Sequence, residues 1–121
     1  MDYGYTEGST GDTLQAVKDH QYHPVLAMPG EADITAHVDF ARLGAVAEEA
    51  GLQVFGPQPQ GVFLRLLGGD VLLQKLLAKA TPEQQEQLST GYERLVSERA
   101  MGVLFKVLAI APKGVTRLAG F

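Results

Sequence analysis

The chain has 121 residues, the length of one domain or of a piece of one. Its net charge is −4, with 10 basic against 14 acidic residues, which argues against nucleic-acid binding because that requires basic side chains on the phosphates. It has no cysteine, which excludes disulfides, thiolate catalysis and cysteine-based zinc sites. No signal peptide or membrane-spanning run is visible. These features favour a cytoplasmic protein of bacterial type that binds neither nucleic acid nor membranes.

Residues 1–33 are rich in glycine, contain Pro24 and Pro29, and show no sustained hydrophobic period. They predict a long loop, with one helical turn around residues 14–17. A structureless loop of this length is uncommon in a compact domain unless it is functional. The chain also starts abruptly, with Asp2-Tyr3-Gly4 directly after Met1.

Residues 32–38 alternate between polar and apolar side chains. If this stretch is extended, Asp33, Thr35, His37 and Asp39 share one face, because side chains alternate along a strand. A histidine in such a row can hold or deprotonate a substrate group near neutral pH. The same pattern is also typical of a half-buried edge strand followed by a capped helix, and both interpretations stay open.

The middle of the chain predicts a helix, a strand and a second helix in that order. Asp39 is suited to cap a helix over residues 39–50, which ends at Gly51. The β-prone stretch 52–55 follows as a strand. Apolar spacing then predicts a helix over residues 60–67, broken by Gly68 and its neighbour.

Two further helices follow. Asp70 is suited to cap a leucine-rich helix over residues 71–79. The next helix has a stronger start signal, because Thr81 is followed by Pro82 at the first helical position and by Gln84 at the capping-box position.

The almost continuously apolar run over residues 103–111 predicts a strand covered on both faces. The expected order is therefore loop, helix, strand, three helices and strand, which is an α/β, helix-rich fold with two or three strands. We expect a single unit made of a loop at 1–33, a folded part at 34–112 and a tail at 113–121.

Two other kinds of site have weaker support. His20 and His23 are three residues apart, as metal ligands on one helical turn can be, but exposed loop histidines explain them equally well. Gly8 and Gly11 suggest a phosphate loop, but no lysine follows at the required spacing, so a flexible loop is the better explanation. We expect no metal site.

Several strings of the sequence, in order and spacing, resemble the MidA family of methyltransferases. They are DYG at 2–4, GDTLQA at 11–16, His20, Pro29-Gly30, ADITAHVDF at 32–40, QG-x-FL-x-x-LG at 60–68 and MG-x-LFKVL at 101–108. The stretch ADITAHVDF is the most specific of these. The resemblance covers residues 2–112.

The resemblance implies a class I methyltransferase fold, which has a Rossmann-like seven-stranded sheet, and dependence on S-adenosylmethionine (SAM). It also implies a link to arginine methylation on a subunit of respiratory complex I. Asp2-Tyr3-Gly4 would end the fifth strand, and the two later strands would be the last of the sheet. Ligands of such sheets bind at the carboxyl ends of the strands. The substrate-pocket candidates are Asp2, Tyr3, Asp33, Thr35, His37 and Asp39.

The family binds SAM through a glycine-rich turn and an acidic residue that this chain does not supply. Pro24 also stands where many members carry an aspartate. We therefore expect the C-terminal portion of a methyltransferase that covers the active site, helps to bind a protein substrate, binds no cofactor alone and is inactive alone. The alternatives are a self-associating interaction module and one half of a split enzyme. Because residues 104–110 need more covering strands than the chain provides, we expect a homo-oligomer.

Overall fold

The computed structural model describes residues 1–7 and 12–121. In these residues the chain forms short strands followed by a helix-rich second half. The elements are β1 (Asp2–Tyr5), β2 (Gln15–Lys18), β3 (Gln21–His23), β4 (Asp33–Thr35), β5 (Val38–Asp39), α1 (Phe40–Glu49), β6 (Gln53–Pro59), α2 (Gln60–Leu66), α3 (Gly69–Leu77), α4 (Pro82–Val96), α5 (Met101–Leu104) and β7 (Phe105–Ala111). The strands exceed the two or three expected.

The larger sheet has the strand order β5-β1-β7-β6. β1 runs parallel to β5, whereas β7 runs antiparallel to both of its neighbours. The expected strands at residues 2–4 and 52–55 are confirmed, and the second of these extends to Pro59. The sheet therefore joins the first strand of the chain to its last two.

Gly4 allows β1 to approach β5 closely. It lies opposite Val38 in the parallel register, and a Cβ on Gly4 would collide with the backbone carbonyl group of Val38. A side chain at this position would therefore push the two strands apart.

The smaller sheet is antiparallel, with the order β3-β2-β4, and Ala16 is its buried residue. The expected loop over residues 1–33 is thus wrong for Gln15–His23, and no helical turn forms at residues 14–17. Asp19 and His20 join β2 to β3 with φ values of +51° and +62°. Two positive φ values match the right-handed twist of a hairpin. The glycines at 8 and 11 lie outside the described residues.

The expected first helix forms as α1. The Asp39 side chain accepts a hydrogen bond from the Arg42 backbone N–H at 2.8 Å, which satisfies one of the free donors of the first turn. Phe40 and Ala47 are buried against the sheet side. Gly51, at φ +80°, ends the helix as expected.

The start of α4 is also confirmed, because Thr81 and Gln84 form a reciprocal capping box. The expected cap at Asp70 is wrong. The left-handed residue Gly68 occupies the N-cap position of α3, so the helix begins earlier and Asp70 falls in its first turn. There its carboxylate accepts a hydrogen bond from the Tyr92 hydroxyl at 2.8 Å.

A tightly packed junction connects α2, the end of α4 and the start of α5. A Cβ on either Gly61 or Gly102 would collide with the backbone of Val96. The buried Gln60 side chain donates to the Leu95 carbonyl oxygen at 2.8 Å. We call these residues, Gln60, Gly61, Leu95, Val96 and Gly102, the glycine junction.

The last strand, β7, begins two residues later than expected because residues 101–104 are helical. It was expected to be covered on both faces, but in this chain only part of it is. Val107 and Ala111 are buried, whereas Ile110 remains 43% exposed. Among the described residues, no helix is long and apolar enough to cross a membrane.

Candidate functional site

Three aromatic rings meet where β1, β5 and β7 come together. Tyr3 on β1 contacts His37 edge to face, with ring centroids 5.4 Å apart. It contacts Phe105 in the same manner at 5.9 Å, since the two residues are partners in the antiparallel register of β1 and β7. We call Tyr3, His37 and Phe105 the aromatic cluster. Edge-to-face packing stabilises such ring pairs and fixes their orientation.

His37 lies immediately before β5 and is exposed, whereas Tyr3 is half-buried. The backbone N–H of His37 donates to the Thr13 hydroxyl oxygen at 3.2 Å. The backbone at His37 is therefore held by Thr13, its ring is held on one side by Tyr3, and the imidazole remains open to solvent. Such a group can exchange protons with a bound ligand.

Asp39 pairs with Tyr5 at the carboxyl end of the two parallel strands. Its Oδ1 accepts from the Arg42 N–H, so the structural role of Asp39 as a helix cap is confirmed. Asp2 lies at the other end of β1, is exposed, and accepts a hydrogen bond from the Tyr3 backbone N–H at 2.8 Å. Asp2 and Asp39 thus flank the aromatic cluster along β1 and β5.

Asp33 and Thr35 belong to β4 in the smaller sheet, where they pair with Val17 and Gln15. The expectation that these two residues share one strand face with His37 and Asp39 is therefore wrong. The chain leaves β4 after Thr35 and enters the larger sheet at Val38, so the alternation is interrupted.

Asp33 instead lines a polar cleft of about 260 Å³, together with Lys18 and Glu31. Lys18 Nζ and Glu31 Oε2 form an ion pair there at 2.6 Å. This cleft is part of the smaller sheet and its flanking loop.

The two histidines considered as metal ligands lie in the β2–β3 hairpin. His20 is in the turn and His23 is on β3, so they do not share a helical turn. In residues 1–7 and 12–121, no group of three or more His, Cys, Asp or Glu side chains could hold a metal ion.

Phe105 and Thr13 are parts of the site that residue-by-residue reasoning did not select. Both lie in strings that carry the family resemblance, GDTLQA and MG-x-LFKVL, which was the available signal. Phe105 was interpreted only as a residue of a buried strand. Its contact with Tyr3 depends on the antiparallel pairing of β1 with β7.

Comparison with solved structures identifies the fold. A crystal structure of an uncharacterized protein from Burkholderia thailandensis matches 98% of this chain and 33% of its own, with a TM-score of 0.84 and 27% identity. A protein of the same superfamily from this bacterium, bound to S-adenosyl-homocysteine, matches 98% of this chain and 32% of its own, with a TM-score of 0.78 and 29% identity. The chain is therefore part of a Rossmann-like α/β methyltransferase fold.

Sequence comparison gives matches to methyltransferases. Residues 1–58 match a family model described as putative S-adenosyl-L-methionine-dependent methyltransferase. The mitochondrial protein arginine methyltransferase NDUFAF7 homolog of Drosophila melanogaster is 45% identical over 113 residues, which are 93% of this chain and 26% of the relative. The human protein arginine methyltransferase NDUFAF7 is 40% identical over 112 residues, 92% of this chain and 25% of the relative.

The chain is thus similar to SAM-dependent methyltransferases over most of its length, and it spans about a quarter of the length of these curated relatives, in their C-terminal part. The resemblance drawn from the sequence strings is confirmed.

Proposed function

We propose that this chain forms the substrate-facing side of a SAM-dependent protein arginine methyltransferase and is inactive alone. The observation that carries the proposal is the aromatic cluster, which lies beside the parallel pairing of β1 and β5. Ligands of open α/β sheets bind near the carboxyl ends of parallel strands, and here those ends are Tyr5 and Asp39, two residues after Tyr3 and His37. The names of the curated relatives supply the reaction and the arginine substrate.

The chemistry of the cluster suits a guanidinium group. Aromatic rings attract planar cations to their faces, and arginine stacks in this way more often than lysine does. The exposed imidazole of His37 can accept a hydrogen bond or a proton from the nitrogen that receives the methyl group. The Asp39 carboxylate, at the end of the same strand pair, favours a cation nearby. The contribution of these groups is to hold the nitrogen in line with the incoming methyl group.

The described residues do not fit SAM itself. Binding of such a ligand requires a glycine-rich turn after a strand and a carboxylate for the ribose hydroxyls. The sequence has no G-x-G-x-x-G string. SAM supplies the methyl group in the family, and we propose that the N-terminal methyltransferase part of the fold is the partner that binds it.

Titration calorimetry of the isolated chain with SAM tests this division. We expect no binding. A dissociation constant below about 100 µM, which corresponds to roughly −5.5 kcal/mol, would contradict the proposal. It would show that the isolated chain can bind SAM without the N-terminal part of the fold.

A chimera tests the substrate-side role. This chain would replace the matching quarter of the Drosophila relative, and methyl transfer to an arginine substrate would be measured. In the chimera we expect His37→Ala to lower kcat by roughly 100-fold, the effect of losing a positioned acid–base group, and to leave SAM affinity unchanged. The control is His20→Ala, which removes an exposed histidine of the β2–β3 turn. A loss of SAM affinity with unchanged kcat would place His37 on the cofactor side instead.

The similar proteins point to two different cellular locations for this chain. The curated relatives are named as mitochondrial, which does not support a bacterial-type cytoplasmic protein, whereas the two solved structures come from a bacterium. Expression of a fluorescent fusion in the source cell would distinguish the two locations.

A further inference from the structure

Charge is divided unevenly between the two halves of the chain. Residues 1–39, which hold β1 to β5, contain seven acidic side chains and one lysine, a net charge of −6. Residues 40–121 contain seven acidic and nine basic side chains, a net charge of +2. Tyr3 and His37 of the aromatic cluster therefore lie in the acidic half. A field of this sign attracts cationic partners and repels anionic ones.

One face of the smaller sheet combines an aromatic ring with a carboxylate. Tyr22 on β3 and Asp33 on β4 are both register partners of Val17 on β2. Partners in an antiparallel register project to the same face, so the three side chains form a row across the sheet. Neighbouring strands lie about 4.8 Å apart, which separates the backbone positions of Tyr22 and Asp33 by about 10 Å.

Both ends of this row are open to solvent. Tyr22 is 85% exposed, and Asp33 is exposed where it lines the polar cleft. The Lys18 ammonium in that cleft is bound by Glu31, and among residues 1–7 and 12–121 no ion pair joins the Asp33 carboxylate. The row therefore presents both an aromatic ring and a carboxylate to a ligand.

The row is continuous with the aromatic cluster. The β2–β4 register pairs Val17 with Asp33, and four residues away on each segment Thr13 accepts the hydrogen bond from the His37 backbone N–H. Four residues of chain span at most about 14 Å, so Asp33 lies within that distance of His37. An extended substrate with its target arginine at His37 thus reaches Asp33 with a side chain about four residues away.

We propose that the protein substrate carries a second basic side chain, four residues from the arginine that is methylated, and that this side chain docks on Tyr22, Val17 and Asp33. Its aliphatic stem covers Val17, its cationic head lies against the Tyr22 ring, and the Asp33 carboxylate pairs with it. The inference rests on the proposed function, because it places the target arginine at the aromatic cluster. It adds a sequence preference that methyl transfer itself does not require.

Other side chains match this face less well. An acidic side chain would meet the Asp33 carboxylate within a region of net charge −6. An apolar side chain would take the same carboxylate out of water without a partner, which is costly. A basic side chain satisfies both the carboxylate and the ring, and its long stem spans the space between them.

Peptide kinetics with the chimera test the preference. Methyl transfer would be measured on synthetic peptides of glycine and serine with one central arginine and one lysine, placed four or eight residues away on either side. At low salt we expect one of the two peptides with the lysine four residues away to have a KM about 10-fold below those with the lysine eight residues away. Methyl transfer with KM values that agree within about 2-fold for all four peptides would overturn this inference and leave the proposed function standing.

Variants of the chimera assign the preference to this face. Asp33→Asn should reduce the KM ratio to about 2-fold or less, and Tyr22→Leu should at least halve it, whereas Tyr22→Phe keeps the ring and should retain it. Asp33→Lys should reverse the preference, so that glutamate in place of the lysine is favoured. Glu86→Gln removes one charge from the exposed surface of α4 and is the control that should keep the ratio. A lysine preference that survives Asp33→Lys would refute the docking.

Direct binding separates this inference from the proposed function. If the chimera transfers no methyl group, the proposed function fails, and fluorescence anisotropy of the full 121-residue chain with labelled peptides decides the docking. We expect the preferred lysine peptide to bind about 10-fold more tightly than the same peptide with serine in place of the lysine. Asp33→Lys should abolish this difference. Equal binding of the two peptides to wild type would overturn the inference.

Discussion

The glycine junction and the α3–α4 hairpin lie at opposite extremes of packing in the same helical half of the chain. At the junction, Gly61 and Gly102 bring two helices directly onto the Val96 backbone, and no side chain fits between them. In the hairpin, Leu72 and Leu76 stand over an open groove. Residues of the first region pack α2 and α5 against the end of α4 within this chain. Those of the second region are held in place by the hydrogen bonds at the hairpin ends, and their apolar surface stays exposed.

The largest expected difference between the two regions comes from replacing one glycine by alanine in each. Gly102→Ala should lower the free energy of unfolding by about 3 kcal/mol, because its Cβ must displace the Val96 backbone. Gly91→Ala in α4 should raise it by up to about 1 kcal/mol, since its Cβ meets no atom within 4 Å and alanine favours a helix. Urea unfolding at one fixed protein concentration measures both. Equal effects of the two variants would show that the contrast in packing does not hold.

A second close approach lies in the larger sheet. Gly4→Ala should cost about 2 kcal/mol, because its Cβ would meet the Val38 carbonyl group. The cost should be smaller than at Gly102, since β5 is a two-residue strand that can move. Amide exchange should show a faster rate at Val38 and unchanged rates in α4. Loss of protection throughout α4 would mean that β1 is not a separate unit.

The helix cap at the tip of the hairpin should contribute less. Thr81→Ala removes the capping box and should lower the free energy of unfolding by about 1 kcal/mol. Thr81→Ser keeps the hydroxyl acceptor and should retain most of the stability. Ser89→Ala, an exposed position inside α4, provides the control and should change stability by less than about 0.5 kcal/mol. Thermal melts followed by circular dichroism can separate these values.

The smallest effect concerns Tyr92 at the base of the hairpin. Burial raises the pKa of Tyr92 above its ordinary value of 10.0, and the hydrogen bond and charge of Asp70 raise it further, while Arg65 opposes them. A raised pKa in the folded state stabilises the protein below pH 10, and this contribution is lost as the pH rises through the folded pKa.

Titration of tyrosine absorbance should therefore show a component that ionises above pH 10 and that Tyr92→Phe removes. Tyr92→Phe should flatten the loss of stability above pH 10, whereas Tyr22→Phe, on the exposed surface of β3, should not. An unchanged alkaline profile in Tyr92→Phe would contradict this assignment.

Local signals in the sequence were sufficient to predict most helices of the second half of the chain. The caps at Asp39 and Thr81 form as predicted, because the side chain and the N–H groups that it caps are neighbours in sequence. Asp70 failed as a cap because Gly68 adopts a left-handed conformation and starts α3 earlier. Composition alone did not distinguish between these two possible starts.

The smaller sheet could not be predicted from hydrophobic periodicity. Its strands are three or four residues long, and Ala16 is its buried residue, so no repeating pattern exists to detect. Its turn uses Asp19 and His20 at positive φ instead of the usual Asn-Gly pair. The glycine content of the surrounding sequence therefore suggested a loop.

The candidate site was predictable only in part, for a topological reason. Tyr3 was selected from the family resemblance and His37 from an alternating pattern, and the structure shows that their rings are in contact. Whether they bind substrate stays a prediction. Asp33 and Thr35 were selected from an alternating pattern, which assumed one continuous strand. The contribution of Phe105 required knowledge of which strands are neighbours, and spacing along the sequence does not contain that information.

The pairing of β1 with β7 has a consequence for the order of folding. Tyr3 and Phe105 are partners although roughly a hundred residues separate them, and closing a flexible loop of that length costs about 4 kcal/mol in entropy. The β2–β3 hairpin closes through two residues, and α1, β6 and the helices after them assemble from contacts that are closer in sequence. We therefore expect β1 to dock last during folding and to detach first under mild denaturant. The aromatic cluster would then form in the final step and be the first feature lost, while the helical half remains intact.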